Sequence, residues 1–231
     1  MRKVEKEDRG DKVFIVQDDP KSVGAEAYKT LRTNIQYSSF DKNAQVIIVT
    51  SSQPGEGKST TSGNLALSIA QDGKKTILID CDLRKPTVHK KFGITNSSGL
   101  SEVMVGKAEL KDTMKEFNKY LTIITSGKIP PNPSEMLGSK NMQKLLEELR
   151  RHYDCIILDT PPVLAVTDAQ ILSRSADGMV LVIRAGHTKK DIVIKAKKQI
   201  ENVGGKIIGT VLNAVDSKNG RNNYYYYYGE K

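Results

Sequence analysis

Residues 46–70 read VIIVTSSQPGEGKSTTSGNLALSIA. An apolar run, Val46–Val49, enters a Gly/Pro/Ser turn, meets Gly57-Lys58-Ser59-Thr60, and continues as an amphipathic stretch. This order of strand, small-residue loop, lysine and helix start is that of a phosphate cradle. Small residues let the backbone wrap phosphates closely, the free N–H groups of the helix start point at them, and a lysine reaches the outer phosphates. Gly55, Glu56, Gly57, Lys58, Ser59 and Thr60 are therefore the candidate nucleotide-binding residues. Ser59 would offer its hydroxyl to Mg²⁺, and Thr60 would lie in the first helical turn. The loop departs from the usual GxxxxGK[ST] spacing, because the first glycine position is Ser52.

Outward from this loop, short apolar runs alternate with amphipathic stretches. Strands are expected at Val46–Thr50, Thr76–Asp80, Leu121–Thr125, Cys155–Asp159, Met179–Arg184 and Lys206–Leu212. They are continuous Ile/Val runs, as in parallel strands buried on both faces. Helices are expected at Ser59–Asp72, Ser139–Arg151, Asp168–Ser175 and Lys189–Val203. The alternation predicts an α/β fold, doubly wound around a mostly parallel sheet, of the P-loop NTPase kind. Residues 1–23, polar apart from Val13–Val16, are read as lying outside that core. Residues 24–215 form the predicted domain, opening with a helix over 24–38 whose apolar positions are Ala27/Tyr28, Leu31 and Ile35. Residues 216–231, DSKNGRNNYYYYYGEK, have no core-seating periodicity and read as a disordered tail.

Two strand ends carry acids. LIDCDLRKP ends a buried strand with Asp80 and Asp82, which point the same way because they are two apart on an extended chain. IILDTPP ends another strand with Asp159. Hard carboxylate oxygens at the C-terminal ends of parallel strands suit Mg²⁺ beside a nucleotide, so Ser59, Asp82 and Asp159 are its candidate ligands. Asp80 would stay free to accept a proton from an incoming hydroxyl. Arg84 and Lys85 either orient phosphates or a neighbouring subunit, or solvate a loop. Ser134 reads as a helix cap after the rigid Pro130–Pro133 loop. His89, His152 and His187 read as isolated surface or turn residues, and Cys81 and Cys155 as small buried hydrophobes.

Composition excludes other classes. Two cysteines cannot make a disulfide framework, and the apolar runs are too short to span a bilayer. The opening MRKVEKEDRGDK has no apolar core of a signal peptide. The expected location is cytoplasmic. The net charge of +9 favours polyanionic partners, though the basic residues are scattered as on solvated helix faces.

At this point the motifs carry a resemblance. SSQPGEGKST, LIDCDLRKP and IILDTPP resemble the Walker A, A′ and B motifs of bacterial tyrosine kinases of the capsule and exopolysaccharide type. EAYKTLRTNI, SGKIPPNPSEML, GTVLN and the tyrosine cluster resemble further stretches of that family, so the likeness spans roughly residues 22–231. It implies ATP and Mg²⁺ as cofactors, Asp80, Lys58 and Asp82 as catalytic residues, and Asn213 beside adenine. It implies autophosphorylation of Tyr224, Tyr225, Tyr226, Tyr227 and Tyr228 in trans. It implies a homo-oligomer, with a ring as one form, built through Glu26, Lys29 and Arg32. Lys29 stands where the family has arginine, keeping the charge without the two-pronged fork. The resemblance further implies a transmembrane activator whose cytoplasmic tail draws the chain to the membrane, protein tyrosine substrates, a counteracting phosphatase, and a role in exopolysaccharide synthesis and export. Nucleic acid is not an expected partner. The alternative is a partition- or positioning-type ATPase switch that binds DNA or membrane. Gln53, where that branch carries a signature lysine, and the tyrosine tail speak against it.

Overall fold

The computed structural model describes residues 14–37 and 44–215. Tyr224–Tyr228 and the predicted tail lie outside the described residues.

In chain order the helices and strands are α1 (Ile15–Asp18), α2 (Val23–Tyr37), β1 (Val46–Ser51), α3 (Lys58–Gln71), β2 (Thr76–Asp80) and α4 (Val88–Phe92). Next come α5 (Leu100–Met104), α6 (Leu110–Thr113), β3 (Met114–Asn118), β4 (Leu121–Ile124), α7 (Pro133–Leu137) and α8 (Lys140–Arg150). The described residues end with β5 (Cys155–Asp159), α9 (Asp168–Leu172), a 3-10 turn at Ser173–Ser175, β6 (Gly178–Arg184), α10 (Lys190–Glu201) and β7 (Ile207–Asn213). The seven strands form one sheet in the order β3-β4-β2-β5-β1-β6-β7. All neighbours are parallel except β3 with β4.

Every residue of β1, β2 and β5 is buried, which is why their sequences are unbroken apolar runs. Alternate side chains serve two cores. Val46 and Ile48 pack with the apolar faces of α8, α9 and α10. Ile47 and Val49 pack with Phe14, Val16, Ile35, α3 and Phe92. The α8 sequence begins at an N-cap, Ser139, whose hydroxyl accepts the Met142 N–H at 3.3 Å.

The structure departs from the sequence reading in several places. The antiparallel edge strand β3 was not expected, because Met-Lys-Glu-Phe-Asn is short and polar, as suits a sheet edge. The short helices α4 to α7 are too brief to show a period. Phe14 and Val16 are buried, so the apolar run of the N-terminal segment belongs to the core. Ala25, not Ala27, faces inward from α2. His89 is half-buried within α4, and its Nδ1 is buried without a hydrogen-bond partner.

Candidate active site

The C-terminal ends of β1, β2 and β5 bring the predicted residues together. β2 and β5 are paired in register, so Asp80 and Asp159 lie opposite each other on adjacent strands. Neighbouring strands are about 4.8 Å apart, which places these acids side by side. β1, beside β5, runs straight into the glycine loop and α3.

Within the loop Gly55 and Gly57 have φ of 80° and 92°, a region that only glycine enters without strain. Gly57 is the N-cap of α3 and supplies no side chain to cap it. The N–H groups of the first turn thus have no side-chain partner at the cap and face the ligand position of a helix start. A Cβ on Gly57 would meet Asn213 Nδ2 at 2.0 Å, so a larger residue there would displace the Asn213 side chain from the loop.

Lys58 is the hub of the site. Its Nζ lies 2.9 Å from Asp82 Oδ2 and 3.9 Å from Asp159 Oδ2. It also donates to Ser59 Oγ at 3.2 Å. Burial would lower its pKa, but the charges of Asp159 and Asp82 together raise it above the ordinary lysine value. Asp159 Oδ1 accepts from Ser62 Oγ at 2.9 Å, and its buried Oδ2 has no hydrogen-bond partner. Asp82 Oδ1 accepts the Lys85 N–H at 3.0 Å.

Asp80 is fully buried. Its Oδ1 accepts the Asp82 N–H at 3.2 Å and its Oδ2 the Val88 N–H at 3.1 Å. Burial, with the Asp159 charge beside it, pushes its carboxyl well above the ordinary range. Asp80 therefore anchors the loop over 81–88, and its carboxylate is closed to solvent in this conformation.

The donor set fits a magnesium ion shared with a nucleotide. An ammonium cation already sits where Ser59, Asp82 and Asp159 converge, and Asp159 keeps one buried oxygen without a donor. Among the described residues no group of three or more His, Cys, Asp or Glu forms a self-sufficient cage. An ion held here needs phosphate oxygens and water to complete its shell, as Mg²⁺ prefers.

Other predicted residues take different places. The Glu56 side chain is turned into the protein, where it accepts from Ser52 Oγ at 2.8 Å and the Gln53 N–H at 2.9 Å. Thr60 lies in the first turn of α3, and its carbonyl accepts from Asn64 Nδ2 at 2.9 Å. Asn213 ends β7 and donates to the Glu56 carbonyl at 3.0 Å, which brings it to the phosphate loop. Lys29 pairs with Glu26 at 2.6 Å on the exposed side of α2. Arg32 donates to the Ser68 carbonyl at 2.7 Å and lies 3.5 Å from Asp72, so it fastens α2 to α3 within the chain.

Ser134 does not cap a helix: Asn132 holds the N-cap position of α7 and Pro133 starts the helix. Ser134 Oγ instead donates to Asp168 Oδ1 at 2.7 Å and accepts from Arg84 at 2.8 Å. Arg84 grips the fully buried Asp168 with two prongs, at 3.0 and 3.1 Å. This cluster ties the loop after Asp82 to α7 and α9. Sequence reasoning missed it, since its members lie 34 to 84 residues apart. Cys81 and Cys155 are buried, as expected.

Residues 44–207 match the AAA domain family. The chain is 47% identical to the tyrosine-protein kinase YwqD of Bacillus subtilis (strain 168), over 94% of this chain and 91% of that one. Its fold superposes on the kinase domain of the Escherichia coli tyrosine kinase ETK with a TM-score of 0.86, at 36% identity, covering 98% of this chain and 89% of that one. The chimerical protein CapA2B2 gives a TM-score of 0.83 at 41% identity, covering 86% and 88% of the two chains. With its phosphate loop, two acidic strand ends and mostly parallel sheet matched over nearly the whole length, the chain belongs to the bacterial tyrosine-protein kinases built on this AAA domain.

Proposed function

We propose that the chain transfers the γ-phosphoryl group of ATP to tyrosine hydroxyls: those of its own Tyr224–Tyr228 cluster, presented by a neighbouring copy, and those of other proteins. The observation that carries this reading is Lys58, poised between Asp82 and Asp159 at the mouth of the phosphate loop. Phosphoryl transfer needs little covalent help; positioning and charge stabilisation dominate. Lys58 and the first-turn N–H groups of α3 would hold the phosphates. Ser59, Asp82 and Asp159 would hold Mg²⁺, which supplies charge neutralisation for the transferred group. Asp80, at the strand end beside Asp82 and Asp159, would take the tyrosine proton as general base. For that, the loop over 81–88 must part to admit the hydroxyl.

Five phosphotyrosines would add about −7.5 to −10, which offsets most or all of the +9 of the chain. Tail phosphorylation thereby favours release from an anion-filled site and loosens a homo-oligomer built through Glu26, Lys29 and Arg32. A membrane-spanning activator, an opposing phosphatase and a role in exopolysaccharide production complete this reading. Among the described residues no helix is long and apolar enough to cross a membrane, so attachment would come through that activator.

The test is the intact mass of the full chain after incubation with Mg-ATP, with and without a candidate activator tail, beside Lys58→Met and a tail-deleted chain. A ladder of phosphates on Tyr224–Tyr228, absent from both variants, supports the proposal. Phosphate release from ATP with no ladder under any condition overturns it in favour of an ATPase switch.

A further inference from the structure

The phosphate loop is fastened from behind by residues far away in the chain. Glu56 is 1% exposed, yet it lies between two glycines in left-handed conformations. Both its oxygens accept from Ser52 Oγ at 2.8 Å, and one also takes the Gln53 N–H at 2.9 Å. A further donor is the Thr188 hydroxyl, from the turn between β6 and α10. Thr188 Oγ1 in turn accepts the Arg184 N–H at 3.2 Å, which leaves its own proton aimed at Glu56. The same region holds the loop at two more points. Arg184 Nη1 donates to the Gly55 carbonyl at 3.3 Å, and Asn213 donates to the Glu56 carbonyl at 3.0 Å.

The chemistry of this arrangement is specific. A carboxylate only accepts, so it can gather several donors around one buried point. Its charge lies beside the positive end of α3, where an acid is favoured. Ser52, in the place of the usual first glycine, is one of these donors, so the departure from the common loop spacing is matched by an acid four residues later. A loop with two left-handed glycines is soft when left alone. Its N–H groups point at one phosphate position only if something outside the loop holds it, and holding it beforehand strengthens binding.

We infer that Glu56 and Thr188 are positioning residues, through which the 184–189 turn clamps the phosphate loop in its nucleotide-binding shape. Neither side chain need touch the nucleotide. By linkage, a bound nucleotide quiets the 184–189 turn as much as the turn tightens the nucleotide. The inference rests on the loop binding nucleotide.

The test uses the full chain, titrated calorimetrically with Mg-ADP. Thr188→Val keeps the shape and removes the hydroxyl; Thr188→Ser keeps the hydroxyl. The Val chain is expected to bind about tenfold more weakly, as for a lost hydrogen bond to a charged group, and the Ser chain within about twofold of wild type. The KM for ATP rises by a larger factor than kcat falls. In hydrogen exchange, Mg-ADP slows the amides of residues 184–189 in the wild-type chain and not in Thr188→Val. Glu56→Gln, which turns an N–H toward one of its former donors, weakens Mg-ADP binding in the same direction and serves if the Val chain does not fold. Wild-type affinity in the Val chain and in Glu56→Gln, or equal losses in the Val and Ser chains, overturns the inference while leaving the nucleotide reading intact. A wild-type chain that does not bind Mg-ADP overturns both.

Discussion

Gly63→Ala tests how far the phosphate helix depends on the N-terminal arm. A Cβ at Gly63 would stand 2.2 Å from Phe14 Cε1 and 2.8 Å from Phe14 Cζ, closer than atoms can approach. The Phe14 ring has little room to withdraw. It is 6% exposed, it lies 4.3 Å from the Phe92 ring, and Phe92 meets Phe117 edge-on at 5.0 Å. The arm is also tied by the Val16 N–H to Asn64 Oδ1 and by Gln71 to the Val16 carbonyl, each at 3.1 Å.

Two opposed effects decide the outcome. Replacing glycine within a helix favours the variant by about 1 kcal/mol. Overpacking disfavours it by about 1–3 kcal/mol, and full loss of the Phe14 site by a similar amount. The net expectation is a destabilisation of about 1 kcal/mol, or about 2–4 °C in Tm for a domain of this size. Thermal melting by circular dichroism measures it. Phe14→Ala alone should cost about 3 kcal/mol, but much less in the Gly63→Ala background, where the ring is already displaced. A Gly63→Ala chain more stable than wild type, with strictly additive effects in the double variant, would refute the packing of this arm on α3.

Further outcomes follow from other contacts. Asp177 is gripped by Arg150 at 2.8 and 2.9 Å and by the N–H groups of Gln45 and Val46. Burial opposes its ionisation, but these partners win and hold its carboxyl below the ordinary value. A depressed acid stabilises the fold above its unfolded pKa and loses that contribution as pH falls through the folded one. Asp177→Asn should therefore cost about 1 kcal/mol at pH 7, modest because the pair is partly exposed, and the gap in Tm should close toward pH 3. Arg84→Ala leaves Asp168 buried without its counter-charge and should cost about 2 kcal/mol in chemical denaturation, whereas Arg84→Lys should recover only part because it loses the two-pronged grip. Burial pushes the Cys155 thiol up to about 12 and raises that of Cys81 as well. A chromogenic disulfide reagent at pH 8 should label neither thiol in the native chain and both after denaturation.

Legibility in the sequence followed locality. β1, β2 and β5 were readable because burial on both faces writes a continuous apolar run. Asp80 and Asp82 were readable because they end such a run, and Lys58 because its loop is contiguous. The edge strand β3 was not, since Lys115 and Glu116 on a half-exposed strand look like loop. The short arm with Phe14 reads as lying outside the core because a single helical turn shows no period; only the glycine at 63, facing it, hints at a close approach. Glu56 was placed in the site by its position in the loop, but the direction of its side chain depends on Thr188, 132 residues later. Asn213 was reachable only through family resemblance, because nothing near it in the sequence marks a nucleotide site.

The unreadable contacts share one physical purpose. Two of the loops that frame the site are fastened by a polar group from another part of the fold: Glu56 by Thr188 behind the phosphate loop, and Asp168 by Arg84 beyond Asp82. Glu56 and Asp168 are almost wholly buried. A buried acid or amide costs free energy unless its partners are well placed, so such groups are a poor way to gain stability alone. They are a good way to fix where a loop stands, because a displaced loop leaves them unpaired. A reaction whose catalysis is positioning and charge needs that kind of stiffness. The same argument accounts for Asp80. It spends both carboxylate oxygens on backbone amides of the loop over 81–88, and so sets the place of Asp82. A motion that frees either Asp80 oxygen gives up one of those two bonds, so one carboxylate holds both ends of the loop over 81–88 in place.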